Sequence, residues 1–378
     1  MINENILGGL SYQEFLDEYW QQKPLIIRQA FNGSPLNLTP EELAGIACDT
    51  DAPSRIVIEH GESPWESLFG PFDDEIFSKL PKSHWTLLVN DLEQYLPELR
   101  DIIKKFSFIP DWRIDDLMLS YAVKQGSVGP HTDEYDVFLI QTSGKRRWQL
   151  DTRNDYSKEI LSDCSLNILK HFDKDTDWIL EPGDMLYLPP NLPHYGVAED
   201  NYCMTLSVGF RAPSQQELIN AWIESISENT AFKQRYNDQR RLFQKKPAEI
   251  TQHDIERLSQ MITAGIDSQK NDIATWVGKY LTETKGETPD DTFIEEDTSY
   301  DNEKFIRKSW LRLAYTEKNN ELHFFAGGEH YQIKNEAKEA VFYLCEHYTY
   351  EKSKITKYCR IASFRPIFDS LLKKGGIT

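Results

Sequence analysis

In the run Gly129-Pro130-His131-Thr132-Asp133 an imidazole and a carboxylate stand one residue apart. Residues i and i+2 of an extended chain point to the same side, so His131 and Asp133 can reach one ion. A third donor must come from elsewhere. His194, in Leu192-Pro193-His194-Tyr195-Gly196, just beyond a strand-like run that ends in Pro189-Pro190, is the best placed. Two histidines and one carboxylate on one face of an octahedral ion are the arrangement of non-haem iron(II) oxygenases. Three positions stay open, two for chelation by a 2-oxo acid and one for dioxygen. A bare His-x-Asp recurs by chance; here it is followed in order by a strand, a turn, a basic strand, Pro-Gly-Asp, Pro-Pro and a histidine. His60, His84, His171, His253, His323, His330 and His347 have no comparable context.

The far carboxylate of a 2-oxo acid wants a fixed cation. Lys145, Arg146 and Arg147 follow the turn at Gly144. Strand alternation puts Arg146 with Trp148 on one face and Lys145 with Arg147 on the other. If Trp148 packs inward, Arg146 is a buried cation; if the strand is a solvated edge, all three deter pairing. Both readings stay open at this point. Ser120, on a strand before the metal loop, could add a hydroxyl to the same carboxylate.

Several elements must position these groups. From about 117 to 210 short apolar runs alternate with turn residues: 117–123, 137–141, 145–150, 178–180, 185–190 and 203–210. That rhythm predicts a sandwich or jelly-roll barrel. Residues 1–100 read as mixed: helical spacing over Tyr12–Trp20, a break at Lys23-Pro24, then a strand over Pro24–Arg28. Ser214 can cap a helix through Leu218, Ala221, Trp222 and Ile226, and helical segments continue to about 284. Near the end, Trp310–Tyr315 and Leu322–Ala326 read as strands and 335–347 as a helix. There is no internal repeat.

At 378 residues, 39% hydrophobic and 12% aromatic, the chain can bury a sizeable core in two or three domains. It lacks any run of about 18 or more apolar residues, and its start lacks a basic stretch followed by an apolar one, so neither a membrane span nor a secretory signal is expected. Five scattered cysteines, never spaced as CxxC, fit reduced thiols and a cytoplasmic location. The formal net charge of −19 disfavours nucleic acid and suits a basic protein partner. A basic set near the end (Lys352, Lys354, Lys357, Arg360, Arg365, Lys373, Lys374) keeps a nucleic-acid reading open.

The stretch from His131 through Asp136, Phe138, Gln141, Gly144, Arg146 and Trp148 resembles the core of Jumonji-C oxygenases, in particular their ribosomal oxygenase branch. So do Tyr19-Trp20 with Lys23-Pro24 and Arg28, Asp115-Asp116-Leu117-Met118, Glu181-Pro182-Gly183-Asp184 and Ser207 through Pro213. The resemblance implies an α+β chain: a double-stranded β-helix (jelly-roll, cupin-like) catalytic domain with an N-terminal extension over 1–211, a helical dimerisation region over 212–286, an acidic linker over 287–302 and a small winged-helix-like domain over 303–378. It implies iron(II) held by His131, Asp133 and His194, with 2-oxoglutarate and O2 as cosubstrates. Arg146 falls where the family binds 2-oxoglutarate, and Ser120 where it has a serine facing that pocket.

The implied reaction is hydroxylation, at C3, of an arginine of the sixteenth large-subunit ribosomal protein, a basic substrate, by a homodimer. An arginine side chain needs carboxylate or aromatic partners, for which Glu134, Tyr135, Asp136, Asp115 and Asp116 are the candidates. The loop Val123–Ser127 is less glycine-rich than the group would suggest. The rival readings are a non-catalytic protein-binding module, against which the intact triad speaks, a cupin-type metalloenzyme, for which an HxH pair is lacking, and an oxygenase acting on another protein or on nucleic acid.

Overall fold

The computed structural model describes residues 5–61, 65–153, 155–162, 164, 166–227, 233–239, 241, 243, 245–246, 248–269, 273–284, 303–318 and 321–378. The acidic linker expected over 287–302 lies outside the described residues. The chain forms two compact units, Met1–Ala212 and Pro213–Thr378.

In the first unit the elements run α1 (Tyr12–Glu18), β1 (Leu25–Ile27), α2 (Pro40–Asp49), β2 (Ser54–Ile58), β3 (Glu66–Phe69), α3 (Glu75–Lys79), β4 (Trp85–Val89), α4 (Leu99–Lys104), β5 (Ile114–Ala122), β6 (Val137–Ser143), β7 (Arg146–Leu150), β8 (Thr176–Leu180), β9 (Met185–Leu188), β10 (His194–Ala198) and β11 (Cys203–Phe210). They build an antiparallel eight-stranded sheet, β1-β9-β6-β11-β5-β4-β2-β3, and a three-stranded one, β10-β7-β8. The expected jelly-roll is therefore present, and the N-terminal region enlarges its major sheet with β2, β3 and β4.

Strand alternation explains how both faces of the large sheet are buried. On β6, Phe138 and Ile140 join the aromatic core with Phe15, Phe106, Tyr187 and Phe210 on the helix-covered side. Val137 and Leu139 face the other way, into a smaller core with Trp148, Leu150, Leu180, Leu186 and Leu188 between the sheets. Helices α1 and α2 begin with full capping boxes, Ser11 with Glu14 and Thr39 with Glu42. The motif Glu181-Pro182-Gly183-Asp184 is structural. The buried Asp184 carboxylate accepts from the backbone N–H groups of Gln29 (2.9 Å) and Glu181 (3.1 Å) and pairs with Arg28 at 2.6 Å.

The second unit holds α5 (Gln215–Ile226), α6 (Gln252–Gln269), α7 (Ile273–Thr282), β12 (Lys304–Ile306), β13 (Leu313–Lys318), β14 (Glu321–Ala326), β15 (Glu329–Ile333), α8 (Lys338–Glu346), β16 (Thr349–Glu351), α9 (Lys352–Tyr358) and α10 (Arg365–Lys373). Ser214 caps α5 through a capping box with Glu217, as expected. The strand expected over Trp310–Tyr315 starts instead at Leu313, because the Leu311 N–H closes a turn onto the Lys308 carbonyl. Helix α7 packs on the meander β13-β14-β15: a Cβ at Gly278 would collide with the Phe325 ring. A cut between 286 and 303 thus divides elements that pack together. Among the described residues, no helix is long and apolar enough to cross a membrane.

Candidate metal centre and its pocket

Backbone pairing brings the two histidines together. His131 and His194 exchange both hydrogen bonds as an isolated antiparallel bridge, N–H to O at 3.0 and 2.9 Å. The Asn191 N–H holds the Asp133 carbonyl at 2.6 Å. The sequence reading missed β10, which carries His194 at its start and lies against β7 with Gly196 opposite Trp148. A Cβ at Gly196 would stand 2.6 Å from the Trp148 ring, so glycine lets the indole lie across β10 beside His194.

One ligand atom from each of His131, Asp133 and His194 lies within 4.8 Å of the others. Their tautomers follow from their partners. His131 Nδ1 sits 2.9 Å from the Gly129 carbonyl and His194 Nδ1 2.9 Å from the Leu192 carbonyl. A carbonyl only accepts, so each Nδ1 carries the proton. Each Nε2 faces the Asp133 carboxylate, at 3.8 Å from His131 and 3.6 Å from His194. Burial, and behind it the neighbouring His131, pulls the His194 pKa down to about 4. His194 is therefore neutral near pH 7 and offers a lone pair at Nε2, the form that binds a metal. The donor set fits a divalent metal with an open face.

The same pocket is lined from four strands and the residues that flank them, at every second position: Thr86, Leu88 and Asn90; Asp116, Met118 and Ser120; Tyr135, Val137 and Leu139; Thr205, Ser207 and Gly209. Arg146 and Trp148 line it from the small sheet and Arg55 from β2. The alternation question is resolved: Arg146 is 3% exposed. Arg147 faces outward to Asp177 and Glu199, and Lys145 to Glu181.

Arg146 has an unmet need. Its Nη2 reaches the Ser120 hydroxyl at 3.5 Å, that hydroxyl donates to the Thr205 carbonyl at 3.2 Å, and its Nε is buried with no partner. Among the described residues no carboxylate pairs with it. The Trp148 indole N–H is likewise buried without an acceptor. A buried guanidinium without a counter-charge is costly unless an anion arrives from outside. The pocket thus holds three donors for a cation at one place and unmet donors for an anion at another, which fits a metal and a dicarboxylate together.

The five candidate substrate groups part company. Asp116 and Tyr135 line the pocket. Asp116 accepts from Asn90 Nδ2 at 2.9 Å. Burial, then Asp133 and Asp116, push the Tyr135 pKa up, so its phenol stays a neutral donor. Asp136 is a correction: it is fully buried on the opposite face, accepting from Tyr187 Oη (2.6 Å), Gln21 Nε2 (2.9 Å) and Arg113 Nη2 (3.2 Å). Asp115 turns away from the pocket to pair with Arg211 at 3.2 Å, and Glu134 is exposed outside the lining. Reasoning from adjacency to the ligands grouped all five. The period of two would have separated Tyr135 from Asp136 and Asp116 from Asp115. Arg55, Asn90 and Trp148 were missed as pocket groups, the first two because β2, which carries Arg55, and β4, which Asn90 follows, were not resolved by the sequence pattern.

Comparison with known proteins agrees with this geometry. Residues 101–218 match the JmjC domain and residues 260–372 a ROXA-like winged helix. The chain is 33% identical over 311 residues to the ribosomal protein uL16 3-hydroxylase of Escherichia coli, covering 80% of this chain and 82% of that protein. It is 43% identical over 207 residues to a probable ribosomal oxygenase of Haemophilus influenzae, covering 54% of this chain and 51% of that one. A solved structure of YcfD, a ribosomal oxygenase from Escherichia coli, in complex with cobalt and 2-oxoglutarate, superposes with a TM-score of 0.79 at 30% identity, covering 98% of both chains. The winged-helix match falls within the second unit. With a relative a third identical across four-fifths of its length, the chain belongs to the JmjC-domain ribosomal oxygenases.

Proposed function

We propose that this oxygenase hydroxylates an arginine side chain of ribosomal protein uL16 at C3, in the cytoplasm, using iron(II), 2-oxoglutarate and dioxygen. The observation that carries the reading is the buried Arg146, without a carboxylate partner, in the same pocket as three convergent metal donors. The substrate identity is supported by the activity of the Escherichia coli relative.

His131, Asp133 and His194 would hold the iron through two Nε2 atoms and one carboxylate. When bound, the metal supplies the oxidising chemistry that converts 2-oxoglutarate to succinate and carbon dioxide while one oxygen atom enters a substrate C–H bond. The residues do the rest. The two backbone carbonyls hold each imidazole in the tautomer that presents Nε2. Arg146 pairs with the far carboxylate of 2-oxoglutarate, the Trp148 N–H supplies a further donor, and the Ser120 hydroxyl reaches the same carboxylate by turning away from the Thr205 carbonyl. Val137, Leu139 and Met118 form apolar walls that exclude water around the reacting carbon.

Asp116 and Tyr135 receive the substrate guanidinium. Asn90 fixes one carboxylate oxygen of Asp116, and the other lies over Gly209, where a Cβ would stand 3.1 Å from it. The Tyr135 ring can add a cation–π contact. The acidic surface attracts a basic ribosomal protein. The chain acts as a homodimer, paired through exposed apolar stripes at helical spacing: Ile219 and Ile223 on α5, and Ile255, Leu258, Ile262 and Ile266 on α6.

Mass spectrometry of uL16 after incubation with the enzyme, iron(II), ascorbate and 2-oxoglutarate tests the reading. One added oxygen on an arginine, absent with His131→Ala, is the expected result. Succinate release with no oxygen on uL16 would discard the substrate; no succinate at all would overturn the reaction. Light scattering should give twice the chain mass, falling to one with Ile262→Asp.

A further inference from the structure

The pocket contains a second arginine whose purpose the reaction leaves unassigned. Arg55 stands on β2, opposite Phe69 of β3 and Leu88 of β4, and lines the pocket together with Asn90, Asp116 and Tyr135. It is half-buried; its Nε is closed off from water and has no hydrogen-bond partner. Among the described residues no carboxylate lies within 4.0 Å of its guanidinium, although Asp116 shares the same lining. It lies outside the segment 101–218 that matches the JmjC domain, so that match assigns it nothing.

Two candidate partners drop out, one on position and one on charge. The cosubstrate has one far carboxylate, and the Arg146–Ser120 contact places that demand on the small-sheet side. The target side chain is itself a guanidinium, which a second guanidinium repels. What remains is an acceptor next to the target residue. A basic substrate is poor in carboxylates, yet every residue of it carries a carbonyl, and those buried on entering the pocket must find donors. Arginine presents five N–H groups in a rigid fork suited to that task.

Resting on the proposed reaction, we infer that Arg55 is a substrate-binding residue that donates to main-chain carbonyl oxygens of the peptide beside the hydroxylated arginine. Asp116 and Tyr135 then read the side chain while Arg55 reads the strand that carries it. Recognition combines a wall from the matched domain with a wall from the N-terminal strands.

Steady-state kinetics with a uL16 peptide, comparing wild type, Arg55→Ala and Arg55→Lys, test this. In Arg55→Ala the KM for peptide should rise by about tenfold or more, as for a lost hydrogen bond from a charged donor. The KM for 2-oxoglutarate should stay unchanged. Arg55→Lys should recover part of the peptide affinity. An unchanged peptide KM in Arg55→Ala would overturn the inference. A raised KM for 2-oxoglutarate would do so too, by assigning Arg55 to the cosubstrate. Calorimetric titration of the peptide reads the same contrast without turnover. Wild type that turns over no 2-oxoglutarate yet binds peptide about tenfold more tightly than Arg55→Ala would sink the reaction and keep the role of Arg55.

Discussion

Asp136 and Arg146 are both buried charges within the same barrel, and they differ in company. Asp136 accepts from Tyr187, Gln21 and Arg113 on the helix-covered face of the large sheet. Arg146, on the small sheet, has a long contact to Ser120 and an Nε with nothing to bind. A buried polar network whose members are all satisfied is architecture, because it needs nothing from outside. One left incomplete toward a cavity is a receptor, held open by the rigidity around it. The chemistry of the residue does not decide between these roles; the neighbours do.

That difference can be broken deliberately. Asp136→Ala should cost most, about 3–5 kcal/mol in urea unfolding, because Arg113 loses its buried counter-charge. A loss below about 1 kcal/mol would mean the network does not hold the fold. Tyr187→Phe removes one donor to the same carboxylate and should cost about 1–2 kcal/mol. Arg146→Met should behave in the opposite sense. Without ligand the protein should be unchanged or more stable by about 1 kcal/mol, since an unpaired buried charge is replaced by a shorter, uncharged thioether. Binding of 2-oxoglutarate to that variant, followed by calorimetry, should weaken by at least about tenfold. Marked destabilisation would place Arg146 with the architecture instead.

The smallest effect concerns His194 in metal-free protein. Its folded pKa, near 4, lies below the ordinary value of about 6.5, so the unfolded chain takes up the proton first. Its contribution to stability is full above about pH 6.5 and is lost as pH falls toward 4; between pH 7 and 6 the loss should be under about 1 kcal/mol. Thermal midpoints across that range check the sign. Bound metal competes with the same proton, so metal loading should move the loss to lower pH.

The convergence of the three candidate donors was legible because each sits in strongly punctuated sequence: His131 and Asp133 after Gly129-Pro130, and His194 after Pro193. Strands with clean apolar runs, such as β6 and β11, were legible too. The pairing of His131 with His194 was not, since a bridge between distant segments is a tertiary fact. Strand β10 escaped because Gly196 weakens its pattern, and the reason for that glycine, the Trp148 ring, lies on another strand. Asp136 was misread by closeness in sequence. Its side chain follows Phe138 and Ile140 to the helix-covered face, while Tyr135 follows Val137 and Leu139 into the pocket. The N-terminal wall was hidden for a different reason: β2 and β4 are buried apolar runs whose sheet neighbours sequence order does not reveal.

The docking of α7 onto β13-β14-β15 also orders events during synthesis. The described helix, Ile273–Thr282, is short of the roughly 12–15 residues at which isolated helices begin to persist in water. It is synthesised before Phe325, the ring that Gly278 accommodates. Until the meander β13-β14-β15 is made, α7 lacks the full surface it packs on, so this part of the C-terminal core closes only after the meander is complete.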